Sequence, residues 1–188
     1  MKYIVSFLAV CLLSAKSYTQ ERMVKLDNAQ LSLNILPIMA HVEIKAGEQQ
    51  SFTFGGGLAY SLSYQNVNGN GKFTAFSTPF LTTSFRHYYK RKQVSRRDLR
   101  NNSGNYVGLL STYSFNTLLL IDGDTFDTDL DSFTIGPVWG IQRNYANGIH
   151  LNWSIGIGYI SGQSNPFFKV KSGARLIGGL EFGFRLNK

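Results

Sequence analysis

The side chains able to do chemistry in this chain recur at alternate positions of apolar stretches. His41 and Glu43 are two apart, His150 and Ser154 four apart, and Arg175, Glu181 and Arg185 share one parity near the C-terminal end. Arg86 stands in an aromatic stretch of its own. A strand sends successive side chains to opposite faces, so each set lies on a single strand face. Three chemistries follow. His150, Ser154 and Glu181 could be drawn as a hydrolase triad. Glu43, Arg86, Arg175, Glu181 and Arg185 could pair as an interior plug of charge, because an isolated buried charge is very costly. The same charges could gate a pore or form a proton-sensitive plug. The triad fails on reach: four strand positions separate His150 from Ser154 by roughly 13 Å, and a nucleophile needs its base within hydrogen-bond distance. The charge plug is the favoured reading.

The elements that must hold these residues are strands with one greasy face and one small polar face. From 149 to 159 the odd positions are Ile149, Leu151, Trp153, Ile155, Ile157 and Tyr159, and the even ones His150, Asn152, Ser154, Gly156 and Gly158. Similar alternation runs over 51–64, 79–90, 133–143 and 174–186, and less cleanly over 105–115. The stretch 31–45 changes phase at Leu36-Pro37. Proline cannot donate to a ladder, so a bulge or break belongs there. That makes seven strands, and an eighth is expected before Pro37, within 21–35, because bacterial barrels have an even strand count.

Residues 1–19 read as a cleaved secretory signal: Lys2, an apolar stretch from Tyr3 to Ala15, then small residues near a cleavage point. Gln20 is the expected mature start, leaving one domain over 20–188. The single cysteine, Cys11, lies inside that signal, and Val10 before it argues against lipid attachment. The remainder therefore has no thiol chemistry and no disulfide. Its apolar runs are too short for a membrane-spanning helix.

Composition agrees with a membrane barrel. Only 16% of residues are charged, whereas aromatics are rich, with ten Tyr and fourteen Phe beside nineteen Gly. Mean hydropathy is nevertheless −0.11. Low charge with average hydropathy fits strands that are half apolar and half polar. The polar faces are mostly Gly, Ser, Thr and Asn, which fit the narrow inside of an eight-stranded barrel, so the apolar faces are placed against lipid. Tyr64, Tyr88, Tyr89, Tyr145 and Tyr159 lie near strand ends, as an interfacial girdle requires. Short links at 46–50 and 144–148 read as periplasmic turns, and long ones at 65–77, 118–132 and 161–173 as outer loops.

Two charged runs remain. Arg91, Lys92, Arg96, Arg97 and Arg100 fall in a periplasmic connection. It reads as a solvated anchor, with phosphate groups, a periplasmic polymer or a partner protein as alternatives. The net charge of +8 and pI near 9.6 could suggest nucleic acid, but the charge is local and export argues against it. Asp122, Asp124, Asp127, Asp129 and Asp131 form an acidic outer loop. It lacks the spacing and closing Glu of a calcium-binding EF-hand, so a solvated loop is favoured over divalent bridging to lipopolysaccharide. The sequence holds no P-loop, dinucleotide fingerprint, zinc-ligand spacing or nucleophile elbow, and it assigns no catalytic residue, metal ligand or cofactor.

The chain resembles the small outer-membrane β-barrel proteins of Bacteroidetes. The resemblance is carried by three stretches. Phe85-Arg86-His87-Tyr88-Tyr89 precedes the basic run and Asn101-Asn102-Ser103-Gly104-Asn105-Tyr106. Ile135-Gly136-Pro137-Val138-Trp139-Gly140-Ile141-Gln142-Arg143-Asn144-Tyr145 precedes a short turn. The last strand is Gly179-Leu180-Glu181-Phe182-Gly183-Phe184-Arg185-Leu186. The resemblance implies an outer-membrane barrel and no catalytic residues. Such chains often end on an aromatic residue read during assembly, whereas here Phe184 is followed by Arg185, Leu186, Asn187 and Lys188.

The expectation is an all-β, up-and-down transmembrane barrel of eight strands, monomeric and non-enzymatic, with a structural or surface-interaction role. Its partners would be outer-membrane lipid, lipopolysaccharide and the barrel-assembly machinery. Three alternatives stay open: a lipid A-modifying hydrolase, a small pore, and a soluble exported barrel with its aromatic face inside. Lipid A deacylases set His and Ser two positions apart facing lipid. Here the position after His150 in that spacing is Asn152.

Overall fold

A computed structural model describes residues 24–67, 70–89, 99, 101–115, 118–121, 131–162 and 172–187. Nine strand segments follow one another: β1 (Ala29–Leu36), β2 (Ile38–Lys45), β3 (Gln50–Val67), β4 (Asn70–Tyr89), β5 (Gly104–Ser114), β6 (Leu118–Ile121), β7 (Ser132–Asn144), β8 (Ile149–Gly162) and β9 (Gly173–Arg185). Each pairs antiparallel with its neighbours, and β9 returns to pair with β1. β6 continues the line of β5 along the upper part of β4. The fold is therefore all-β, with eight antiparallel strand positions closed into a ring and no helix among the described residues.

The phase change at Pro37 is the tip of a hairpin. Ile35 pairs with Ile38 across it. Each strand keeps its own parity, so Leu31, Leu33 and Ile35 share the outer face with Ile38, Ala40 and Ile44. The eighth strand is thus β1, where the even-count argument expects it. The segment 65–77, expected as an outer loop, is largely strand. β3 and β4 stay paired up to Val67 opposite Asn70.

One end of the ring carries the 46–49 and 145–148 turns and both ends of the chain's strand order; it is called the turn end below. In the 145–148 turn Gly148 has φ 90°, which a residue with a Cβ rarely adopts. Residues 24–28 cross this end. Val24 and Leu26 are buried with Tyr88, Tyr106 and Val138. The Lys25 carbonyl accepts from the Asn102 amide at 2.8 Å, and the Asp27 amide donates to Asn102 Oδ1 at 2.8 Å.

The opposite end is uneven. β2 meets β3 only as far as Leu58, and β1 meets β9 only from Phe182 to Arg185. Above Pro37, Ala59–67 of β3 and 173–181 of β9 therefore have no strand on their inner flank among the described residues. The wall has a notch there.

The core is inverted. Among the described residues, 25 large hydrophobic side chains are exposed and only seven hydrophobic residues are buried, against 17 buried polar or charged ones. Water-soluble folds bury their apolar side chains. Here Phe52, Phe54, Leu81, Phe85, Val107, Leu109, Trp153 and Ile155 point outward while Ser51, Thr53, Ser84, Arg86, Asn152 and Ser154 point inward. The outer face is aromatic near the turn end, where Trp139 Nε1 donates to the Tyr89 hydroxyl and the Trp139 and Trp153 rings meet edge-on at 5.8 Å. Tyr88 does not belong to that belt. It shares the parity of Arg86 and is fully buried inside.

Candidate functional site

The polar strand faces converge inside the ring, toward the turn end. Glu43 of β2 is the hub. Its Oε1 accepts from Ser51 Oγ at 2.6 Å and from the Tyr88 hydroxyl at 2.7 Å, and its Oε2 accepts from Gln142 Nε2 at 2.8 Å. Gln142 turns its amide oxygen to Arg86 Nη1 at 2.5 Å, and Arg86 Nε donates to Ser84 Oγ at 3.1 Å. One amide from β7 thus links the carboxylate of β2 to the guanidinium of β4. Arg86 also lies 4.7 Å from the centre of the Tyr106 ring, a cation–π contact that gains strength away from water.

The chain continues to Glu181. The Tyr106 hydroxyl donates to Asn152 Oδ1 at 2.9 Å. Asn152 in turn hydrogen-bonds Glu181, its partner across β8 and β9. Asn34 Nδ2 of β1 donates to Glu181 Oε2 at 3.3 Å. A buried ion needs its own hydrogen bonds as well as an opposite charge, and neutral amides and hydroxyls supply them here. Tyr106 reaches Asn152 with its ring against Gly140, where a Cβ would come within 2.3 Å of the Tyr106 Cζ.

His41 and His150 sit beside this network, 6.1 Å apart between ring centres. The protonation of His150 can be read from its partner. Asn144 Nδ2 donates to the carbonyls of Asn101 and Asn102 at 2.9 and 3.2 Å, which fixes Asn144 Oδ1 as an acceptor. His150 Nδ1, 2.7 Å from that oxygen, must carry the proton. In the neutral His150 ring Nε2 is therefore left with a bare lone pair. His41 Nδ1 lies 3.2 Å from Ser32 Oγ, and either atom donates there according to the tautomer of the ring. Both Nε2 atoms are buried without a partner, and so is Asn34 Oδ1.

A cavity of about 150 Å³ lies on the other side of the network, and its lining includes Met39, Phe80, Arg86, Tyr106, Leu180 and Glu181. Pro37 and Gly178 also line it, which places it beside the notch.

The structure brings together three of the five charges expected in the plug: Glu43, Arg86 and Glu181. Arg175 shares their parity but is exposed, six positions up β9 from Glu181, roughly 20 Å away along the strand. Arg185 lies at the turn-end rim, where its Nη2 meets Asp27 Oδ2 at 2.5 Å. Alternation gives the face of a side chain and not its depth, which is why those two were grouped with the rest. Most of the network is neutral: Gln142, Asn152, Asn144, Asn34, Tyr88 and Tyr106. Their parity was readable, but neutral side chains carry no charge to mark them. Arg91, Lys92, Arg96, Arg97 and Arg100 lie outside the described residues, as do Asp122, Asp124, Asp127 and Asp129 and the expected signal. Asp131 accepts from the Tyr113 hydroxyl at 2.7 Å.

The chain matches no protein-family model, no curated protein and no solved structure.

Proposed function

We propose that the protein is an integral outer-membrane β-barrel of non-enzymatic type, with a structural or surface-interaction role and a packed polar interior. The observation that carries this reading is the inverted core. A belt of Leu, Ile, Val, Phe and Trp faces outward on every long strand, while the inside is polar. In water that arrangement would leave the hydrophobic side chains as one large exposed apolar surface, far beyond what monomeric soluble proteins tolerate. In a bilayer it is the required arrangement, because a closed ring satisfies all backbone groups between strands. β8 is long enough: about 9–11 tilted residues cross the hydrocarbon core.

The turn end is assigned to the periplasm, since short turns lie there in this class. The basic connection joins β4 to β5 on that side. The long-strand end and the acidic run then face outward, toward lipopolysaccharide. A signal over 1–19, assembly by the barrel machinery and a monomeric state complete the reading, and the resemblance to small Bacteroidetes barrels agrees with it. The pore reading lacks support. Gln30, Glu43, Gln142, Asn144 and His150 have no accessible surface, so among the described residues the interior shows no water path at the turn end.

The test is heat-modifiable migration of protein extracted from membrane fractions. Extraction only by detergent, with unboiled protein running faster than boiled, is the expected result. A freely soluble periplasmic protein with no shift would overturn the reading.

A further inference from the structure

We propose that His41, His150 and Glu181 form a binding site for one divalent transition-metal ion of the zinc class. One ring nitrogen from each histidine and one carboxylate oxygen of Glu181 all lie within 4.8 Å of one another. They come from β2, β8 and β9, so the ring closure itself assembles the site. Two imidazoles with one carboxylate are the donor set of many zinc centres that keep a fourth position open.

The hydrogen-bond pattern supports the assignment independently. A ligating histidine usually donates its other N–H to a fixed acceptor, which sets the tautomer and aims the free nitrogen. His150 does this to Asn144, and Ser32 Oγ stands 3.2 Å from His41 Nδ1 in the matching place. Both Nε2 atoms are without a hydrogen-bond partner although the rings are buried, at 0% and 2% exposure. A buried donor or acceptor without a partner costs on the order of 1–3 kcal/mol, and a bound cation removes that deficit at both rings together. Glu181 is held in place by Asn152 and Asn34, the carboxylate counterpart of the same support.

Charge and access are also compatible. Arg86 and, at His150, Arg185 are the cations that oppose a metal here, but Asp27 holds Arg185, and Gln142, Ser84 and the Tyr106 ring hold Arg86. Glu43 offsets its charge. Tetrahedral zinc at about 2.0–2.1 Å from each ligand places donors roughly 3.3 Å apart. The three side chains therefore have to close by about 1.5 Å at most, a change within rotamer adjustment. The cavity reaches the carboxylate side of the site and touches neither histidine, so an ion would enter past Glu181.

The experiment uses the full chain folded in detergent and stripped with chelator, with Zn²⁺ alone as the probe. One Zn²⁺ per chain is expected by equilibrium dialysis with elemental analysis. X-ray absorption at the zinc edge should show two imidazoles and oxygen. His41→Gln and His150→Gln should each weaken binding at least 100-fold. Ser32→Ala, which frees His41 Nδ1, should weaken it by about 10-fold. Asp131→Asn should leave it unchanged. The unboiled gel band reports whether each variant is folded, and the absorption spectrum of the wild type needs no variant. Either a folded wild type with no bound zinc or a zinc shell without imidazole would overturn the site. Full binding by the folded His41→Gln/His150→Gln double variant would do the same. The site does not depend on the membrane reading, because a soluble protein would give the same zinc result.

Discussion

Two tyrosines allow the weight of burial to be separated from hydrogen-bond geometry. Tyr88 donates to Glu43 at 2.7 Å inside the ring, and Tyr113 donates to Asp131 at 2.7 Å on its outside. Both acceptors are carboxylates. Tyr88 is 0% exposed and Tyr113 36%. Replacing each by Phe removes one hydroxyl and little else. At Tyr113 water takes the vacated place on Asp131, so Tyr113→Phe should leave the unfolding midpoint within replicate scatter. At Tyr88 no water can reach Glu43. The carboxylate keeps Ser51 and Gln142 but loses one of its three donors. Hydrogen bonds to charged groups contribute about 1.5–3 kcal/mol, and the upper part of that range is expected because the lone pair is left bare. The assay is urea unfolding of detergent-folded protein, followed by loss of the fast unboiled band and by tryptophan fluorescence. Equal midpoints for the two variants, or a larger loss at Tyr113, would refute the argument that the interior is dry and the network stabilising.

Gly140→Ala tests the close approach of Tyr106. The added methyl must displace the ring that joins Arg86 to Asn152, so a loss of about 1–3 kcal/mol is expected in the same unfolding assay. Wild-type stability would show that the ring has room to move. Phe54→Arg tests the outer face. Phe54 is 48% exposed on β3 and pairs with Val42 near the middle of β2, and in lipid an arginine near the bilayer midplane costs about 2–4 kcal/mol. Folding into phospholipid vesicles should drop accordingly, whereas in a soluble protein the change would be neutral and solubility would rise.

Much of the fold was legible because alternation is local. The parities of Phe52/Thr53, Leu81/Thr82 and Trp153/Ser154 can be read residue by residue, and the structure places each on the expected face. Which strand lies beside which depth of its neighbour was not legible. Register between β1 and β9 pairs Ser32 with Arg185 across most of the chain, and no nearby residue encodes it. His41 and His150 illustrate the result. The sequence groups His41 with Glu43, and His150 with Ser154 and Glu181, and only closure of the ring makes the two histidines neighbours. Tyr88 shows the opposite error. Its position near a strand end suggested the aromatic girdle, but parity outranks position along the strand, and parity puts it beside Arg86 inside.

Unequal strand lengths give the membrane reading its sharpest consequence. β1 and β2 have eight residues each, whereas β3 has 18 and β4 has 20. Eight residues rise roughly 26 Å along the strand and give about 20 Å of height once tilted, a few Å short of the roughly 25 Å outer apolar belt, a mismatch that local thinning of the bilayer absorbs. A free sheet edge cannot lie in hydrocarbon, where no water satisfies its N–H and C=O groups. The unpaired edges above Pro37 must therefore stand outside the bilayer, and the β3–β4 hairpin beyond Leu58 projects from the outer surface. Nine residues, from Ala59 to Val67, carry it roughly 30 Å further along the strand. In the proposed membrane arrangement such a hairpin would offer a contact surface held clear of the lipid. Single cysteines in a Cys11→Ser background test this. In intact cells Asn70→Cys should react with a membrane-impermeant maleimide, while Lys45→Cys, exposed at the turn end, should react only after the outer membrane is permeabilised. The reverse pattern would invert the orientation. Protection of both in intact cells, with both reacting after permeabilisation, would place the hairpin in the periplasm and remove the surface role.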